Sequence, residues 1–414
     1  MPLSKERTPR AMPERGLFRL LGPAFVAAIA YVDPGNVAAN LSAGAKYGYL
    51  LVWVLVLANA MAVIVQYLSA KLGLVTGKSL AEMLGDRMPR TSRLLYWLQA
   101  ELVAVATDIA EVIGGAIALA ILFDLPLVLG GTIVGVVSML LLAMQRRGQL
   151  LFERVIIGLL AVITVGFVAG LFVTPVDWGG VAGGLAPKFD GAETVLLAAG
   201  MLGATVMPHA IYLHSSLVRD RHGAQHTPDR LRRLLKATRW DVLLSLVVAG
   251  GVNIAMLLLA ASALRGVDGT DTIEGAAAVI SSHLGPAIGV IFGIGLLASG
   301  LASTSVGAYA GADIMGGLLK KKFPLIVRRA VTLIPALIVL GVGIDPTWAL
   351  VLSQVVLSFG IPFALIPLVW LTGKRTVMGQ YANGIAMRIA AWVTVAAIVL
   401  LNALLIYLTV TGQD

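Results

Sequence analysis

Two short stretches carry the residues best suited to chemistry. The first is Ala30-Tyr31-Val32-Asp33-Pro34-Gly35-Asn36 and the second is Ala204-Thr205-Val206-Met207-Pro208-His209. Asp33 offers a carboxylate, Asn36 an amide oxygen and Met207 a thioether sulfur. Each proline removes a backbone donor and clashes with the preceding turn, so a helix breaks there. Such a break frees backbone carbonyls, and those of Ala30 and Ala204 are expected to join the ligand set. Oxygen ligands alone suit Mg²⁺, Ca²⁺ or Mn²⁺, whereas a thioether adds little for hard cations and can bind a transition metal. The mixture reads as a divalent transition-metal site, with Mn²⁺ and Fe²⁺ both plausible. Methionine is also a common packing filler, and Met207 by itself would fit that part. With one formal negative charge and no cysteine, the set suits an ion that must be released.

A second group lies on one stretch of sequence. Glu101, Asp108 and Glu111 are spaced by seven and three, which puts all three on one helical face. His209 follows Met207 by two residues, His214 lies one and a half turns further on, and Arg328 and Arg329 are adjacent. Histidine titrates near working pH. Acids, histidines and arginines at membrane depth are costly and either line a polar path or pair with one another. For Glu101, Arg328 and His214 a purely structural polar contact is an equal alternative. His222, His226 and His283 fall in loops or at ends and read as solvated.

The elements that must position these residues follow from composition. The chain has 414 residues, 58% hydrophobic and 13% charged, with a mean hydropathy of +0.90. Soluble domains average about 25% charged. A chain this apolar cannot hide its side chains in water, which excludes a soluble enzyme, a disordered protein and a coiled coil. It contains no cysteine, hence no disulfide, thiolate metal site or cysteine nucleophile. The net charge of +9 is read as basic cytoplasmic loops and not as a nucleic-acid surface. No removable signal peptide is expected, because no small-residue cleavage site follows a short apolar core.

Apolar runs long enough to cross a bilayer are predicted near 20–44, 49–71, 94–123, 126–145, 151–174, 192–218, 241–264, 286–318, 325–343, 347–372 and 389–411. They lack the every-second-residue alternation of a membrane barrel, so the expectation is an all-α polytopic membrane protein of about eleven helices. With the N-terminus inside, 28 Lys and Arg fall on inside segments and 3 (Lys46, Lys188 and Arg265) outside. This is the positive-inside bias. A missed or extra span would scramble it, so it supports both the count and an orientation with a cytoplasmic N-terminus and an extracytoplasmic C-terminus in the cell (inner) membrane. Arg219–Arg239 is the longest polar insert, and Lys320-Lys321-Lys322 reads as a topology signal. The two Pro-broken stretches fall in spans 1 and 6, five spans apart, and so run in opposite directions. That is the sign of an inverted repeat whose discontinuous helices meet at the bilayer centre. The expected division is a tail at 1–19, repeats at 20–174 and 175–372, and a loop with an eleventh helix at 373–414.

Asp33-Pro34-Gly35-Asn36 with Met207-Pro208-His209 resembles the natural resistance-associated macrophage protein (Nramp) family, whose bacterial members are proton-coupled manganese transporters. The resemblance covers nearly the whole chain, including the segments around Glu101–Glu111 and Arg328-Arg329. It implies a LeuT-like fold of two inverted five-span repeats with extra helices. It further implies that Asp33, Asn36, Met207 and the carbonyls of Ala30 and Ala204 bind the metal, joined in some states by Gln354. By the same resemblance Asp33 and His209 lie where metal and proton routes meet, Asp108 and Glu111 carry the proton inward, and Asp108 pairs with Arg329. Relatives that carry other ions lack the methionine, which argues against a magnesium or aluminium carrier.

The function expected is secondary active import of Mn²⁺, with Fe²⁺ and similar ions, coupled to protons by alternating access. The metal is cargo, and no cofactor, nucleic acid or obligate protein partner is expected. Other classes fit less well. An organic-cation or amino-acid carrier could use Asp33 as counter-ion but leaves Met207 without a task. A membrane metalloenzyme would want a motif such as H-E-x-x-H, which is absent. A channel does not need inverted broken helices around a mid-membrane ligand set.

Overall fold

The computed structural model describes residues 20–144, 148–270, 272–321 and 324–411. The tail expected at 1–19 and Lys322 of the lysine run lie outside them. The described residues form helices joined by short connections, and no strand occurs among them. In chain order the helices are α1 (Pro23–Ala28), α2 (Pro34–Tyr47), α3 (Val52–Thr76), α4 (Leu80–Arg87), α5 (Arg90–Phe123), α6 (Leu127–Met144), α7 (Gln149–Val168), α8 (Trp178–Gly183) and α9 (Gly191–Thr205). They continue as α10 (Pro208–His222), α11 (Pro228–Ala263), α12 (Ile273–Leu284), α13 (Pro286–Leu319), α14 (Leu325–Val342), α15 (Pro346–Gly373), α16 (Arg375–Met378) and α17 (Ile385–Thr411).

Each of the eleven predicted spans corresponds to a helix or a broken pair. Among the described residues, nine segments are long and apolar enough to cross a membrane. The first expected span is the clearest departure from a single rod. It divides into α1, a 3₁₀ turn at Ile29–Val32, and α2. The sixth divides into α9 and α10 at Val206-Met207.

The polar insert at 219–239 is not a loop. Thr227 accepts a hydrogen bond from the Arg230 N–H and caps α11, and Pro228 occupies the first helical turn, where a missing N–H costs nothing. The helix therefore starts well before its apolar part. Four further helices, α4, α8, α12 and α16, sit in the connections between predicted spans. One of them, α4, begins with a reciprocal cap: Ser79 Oγ accepts from Glu82 N–H at 3.3 Å and Ser79 N–H donates to Glu82 Oε2 at 2.8 Å.

In a bilayer the hydrophobic effect does not drive helices together, so close backbone approach matters more. The central α13 packs along both α5 and α7 through paired glycines. A Cβ on Gly300 would come within 2.9 Å of the Gly115 Cα, and one on Gly295 within 2.9 Å of the Gly166 Cα. Substitution at either crossing would push α13 off its neighbours. This packing holds α5, with its acids, beside the two broken helices.

Candidate metal and proton pathway

The two breaks share a backbone cause. In a continuous helix the N–H of residue i bonds the carbonyl of residue i−4. Residue 34 is proline, so Ala30 has no such donor, and residue 208 is proline, so Ala204 has none either. Both carbonyls thus lack the donor a continuous helix would give them; Ala204 lies in the last turn of α9 and Ala30 in the 3₁₀ turn that follows α1, where the helix dipole is negative and favours a cation. Asp33 and Met207 then take the same place in each repeat, in extended conformation at the N-cap of the second half-helix (φ −75°, ψ 167° and φ −76°, ψ 128°).

The side chains around the breaks come together. Asp33 Oδ1 accepts from the backbone N–H of Asn36 at 2.9 Å and from its Nδ2 at 2.7 Å. The same Nδ2 reaches across to the Ala204 carbonyl at 3.1 Å, joining the two breaks directly. Asn36 Oδ1 is buried and has no hydrogen-bond partner. Asp33 and Asn36 are 1% exposed and Met207 is 0% exposed, so anything bound among them is dehydrated. Gln354 of α15 lies over Gly35: a Cβ at that position would collide with the Gln354 amide and stand 3.3 Å from Asp33 Oδ2. Both polar atoms of Gln354 are buried without a partner. The structure therefore brings Asp33, Asn36, Ala204 and Gln354 into one place, with Met207 three residues along the chain from Ala204. Among the described residues there is no cluster of three or more His, Asp or Glu suited to a metal. Any metal bound here would rely on amide, carbonyl and thioether groups around a single carboxylate.

The acids of α5 divide by surroundings. Asp108 forms an ion pair with Arg329 of α14 (Nη1–Oδ1, 2.9 Å), and both side chains are nearly inaccessible. Arg329 Nε also donates to Ser138 Oγ of α6 at 3.2 Å. Glu101 pairs with Arg328 at 2.8 Å. Glu111 is buried against Gly307 of α13 with neither oxygen hydrogen-bonded. His209, in the first turn of α10, is likewise buried with both ring nitrogens unpartnered. His214 differs. Its Nδ1 meets Gln66 Oε1 at 2.7 Å, and Gln66 Nε2 donates to the Tyr31 hydroxyl at 2.6 Å. His214 thus belongs to a chain that ties α10 through α3 to the first break.

Several residues that sequence reading passed over fix this geometry. Asn253 of α11 donates to the Tyr31 carbonyl at 2.7 Å and accepts from Asn40 at 2.9 Å. Ser299 of α13 donates to the Val32 carbonyl at 2.5 Å. Asn402 of α17 is buried beside Ser358 and Gly203. The available signal was a lone amide in an otherwise apolar span. Polar ties close both ends of the bundle. At one end Lys46 and Tyr47 hold Glu193 (2.8 and 2.5 Å). At the other Arg219 binds Glu82, Asp220 and Asp313 (2.5, 2.8 and 3.4 Å).

Comparison with known proteins adds three findings. Residues 24–408 match the family described as natural resistance-associated macrophage protein-like. The chain is 64% identical over 394 residues to the divalent metal cation transporter MntH of Mycobacterium tuberculosis, covering 95% of this chain and 92% of that protein. Among solved structures, the Eremococcus coleocola manganese transporter superposes with a TM-score of 0.87 at 29% identity, covering 96% of this chain and 88% of that one. The structure of MhsT in complex with L-phenylalanine superposes with a TM-score of 0.60 at 14% identity, covering 92% and 98%, a likeness of fold alone. The architecture is that of LeuT-fold membrane transporters.

Proposed function

Because the chain belongs to the natural resistance-associated macrophage protein-like family, a family of multi-pass metal transporters and not of enzymes, we propose that it imports a divalent transition metal. The reading specifies Mn²⁺, with Fe²⁺ and similar ions, carried as cargo by a secondary transporter that couples entry to protons and works by alternating access. The observation that carries it is the hydrogen bond from Asn36 to the Ala204 carbonyl. It ties the Asp33–Asn36 side of the first break to the Ala204 carbonyl of the second, around one buried carboxylate, with the thioether of Met207 three residues further along the chain. A set with this much soft and neutral character suits a transition metal better than Ca²⁺ or Mg²⁺.

Asp33, Asn36, Met207 and the carbonyls of Ala30 and Ala204 are the proposed ligands, with Gln354 joining as α15 moves. Asp33 must be ionised to hold a dication, so arrival of the metal favours loss of its proton. His209, Glu111 and Asp108 are the proposed exit route, with Arg329 as the fixed counter-charge of Asp108. Glu101–Arg328 and His214–Gln66–Tyr31 are better suited to bracing that route than to carrying protons, because each is tied to a neighbouring helix through at least one polar contact.

Energetics favour inward movement. A membrane potential of 100 mV contributes about 4.6 kcal/mol for a doubly charged ion, and each pH unit adds about 1.4 kcal/mol per proton. The broken spans 1 and 6 with their neighbours would rock against the rest of the two repeats at 20–174 and 175–372, with the N-terminus in the cytosol of a cell whose inner membrane holds the protein. The test is Mn²⁺ uptake into proteoliposomes with internal pH recorded at the same time. Saturable uptake with internal acidification is expected. Amino-acid uptake in place of Mn²⁺, or Mn²⁺ flux without a pH change, would overturn the reading or its proton coupling.

A further inference from the structure

The corner formed by the end of α15, α16 and the start of α17 plays no part in the pathway above, yet it is built around a cavity. A space of about 680 Å³ is lined by Arg375, Gln380, Asn383 and Arg388 together with loop backbone. It runs directly into a second space of about 550 Å³ on the outer face of α17, bounded by Ile385, Ile389, Trp392 and Val393. Arg388 and Ile385 line both. One end of this continuous groove is polar and basic, and the other is apolar.

The charge is one-sided. Between Asp345 and Asp414 the chain contains no Asp or Glu, while Lys374, Arg375 and Arg388 cluster within 15 residues. Among the described residues no carboxylate pairs with Arg375 or Arg388, and the Arg388 side chain leans over Gly373 at the end of α15. Lys374 lies over the Trp370 ring, 3.3 Å from its centroid. Behind the loop, the buried Lys71 of α3 donates to Asn383 Oδ1 at 2.8 Å, fixing one of the cavity's lining side chains from below. The loop is firmly held. Asn383 N–H donates to the Thr372 carbonyl at 3.0 Å and its Nδ2 to Thr372 Oγ1 at 3.0 Å. Tyr381 packs into the small apolar cluster of Ala70, Val218 and Leu234.

A topology signal needs only positive charge on a cytosolic loop. It does not need a formed cavity, nor an apolar channel leading from it along a lipid-facing helix. Basic pockets between membrane helices on the cytosolic side suit phosphate headgroups. Along the channel Ile385 is 76% and Val393 62% exposed, as befits residues that meet acyl chains. A free phosphate would use the arginines and leave that channel without a purpose.

We propose that this groove is a binding site for one anionic phospholipid, its phosphate held by Arg375 and Arg388 and an acyl chain lying along Ile385, Ile389, Trp392 and Val393. A lipid there bridges the end of α15 to α17, which itself packs on α9, the first half of the second broken helix.

The test uses the full chain purified in neutral detergent and titrated with phosphatidylglycerol, phosphatidylcholine or inorganic phosphate. Bound lipid is counted by native mass spectrometry and stabilisation is read as a shift in Tm. One phosphatidylglycerol is expected to be retained in preference to phosphatidylcholine and not displaced by millimolar phosphate. The double substitution R375Q/R388Q should weaken retention at least about tenfold without lowering the lipid-free Tm, whereas K321Q, an exposed lysine outside the groove, should change nothing. Equal retention of the two lipids, equal retention by the double variant, or displacement by phosphate alone would each overturn the proposal. None of these readouts depends on metal transport.

Discussion

The two broken helices have the same backbone plan and different restraint. At the first break the carbonyls of Tyr31 and Val32 are taken by Asn253 and Ser299, and Asp33 is bound by its own Asn36. At the second, Met207 caps nothing with its side chain. The Thr205 hydroxyl turns back to the Met201 carbonyl of its own helix at 2.6 Å, and Ala204 is held across the gap by Asn36 alone. The first break is anchored to α11 and α13. At the break itself the second is held by packing and one shared amide, and α10 is fastened only further along, where Ser69 Oγ donates to the Ile211 carbonyl at 2.6 Å and His214 meets Gln66. Symmetry of fold thus coexists with asymmetry of chemistry: one break carries the proposed hard ligand, Asp33, under several hydrogen bonds, and the other the proposed soft ligand, Met207, with fewer at the break itself. A carrier that must bind and then release an ion benefits from that division, since one half can move while the other keeps the charge in place.

The comparison is most severely challenged at its charged member. Asp33→Asn should weaken Mn²⁺ binding at least about a hundredfold, about 2.7 kcal/mol, measured by calorimetry. Unchanged affinity would mean that the anchored break is not where the ion sits.

The restraint itself is tested by stability. Asn253→Ala leaves the Tyr31 carbonyl unpaired in the interior and should cost about 1–3 kcal/mol. Thr205→Ala removes only a hydroxyl bonded within its own helix and should cost under about 1 kcal/mol. Thermal unfolding in detergent checks the order, and equal losses would erase the asymmetry.

A smaller effect on Mn²⁺ itself is expected at the soft ligand. Met207→Ala should reduce Mn²⁺ uptake by less than about tenfold, because the oxygen ligands remain, while admitting Ca²⁺ or Mg²⁺. Continued exclusion of Ca²⁺ in a competition assay would show that the sulfur is not the filter.

The smallest effect lies away from both breaks. The Lys78 and Lys320 ammonium groups hold the Asp86 carboxyl below the usual carboxylate range. Its contribution to stability is therefore present at neutral pH and lost as pH falls through that lowered value. The group is half exposed, so Asp86→Asn should cost less than about 0.5 kcal/mol. It should flatten slightly the acid side of a Tm–pH curve and leave metal affinity alone.

Sequence reading reached the spans because hydropathy and helix length are local properties. The low charge content, the recurrent apolar runs and the 28-to-3 distribution of basic residues are each readable without coordinates. So are the breaks, since proline acts on the carbonyl four residues earlier in its own helix. The polar insert at 219–239 is legible as a break in hydropathy but not as helix, since the Thr227 cap and Pro228 start α11 inside it well before its apolar part. The acids of α5 are legible as a file, and the family resemblance implies the Asp108–Arg329 pair that the structure forms; the pairing of Glu101 with Arg328 and the bare carboxyl of Glu111 are not legible, because the groups around them come from α14 and α13.

The sequence by itself determined an all-α multi-pass membrane protein whose eleven apolar runs each become a helix or a broken pair, with two proline breaks and the chemical types present at each. Only the tertiary structure decided which groups hold those breaks. Asn253 lies 222 positions from the carbonyl it satisfies and Ser299 lies 267 from its own. A released carbonyl in a water-free interior needs a donor, but nothing in its neighbouring residues says which distant helix supplies it.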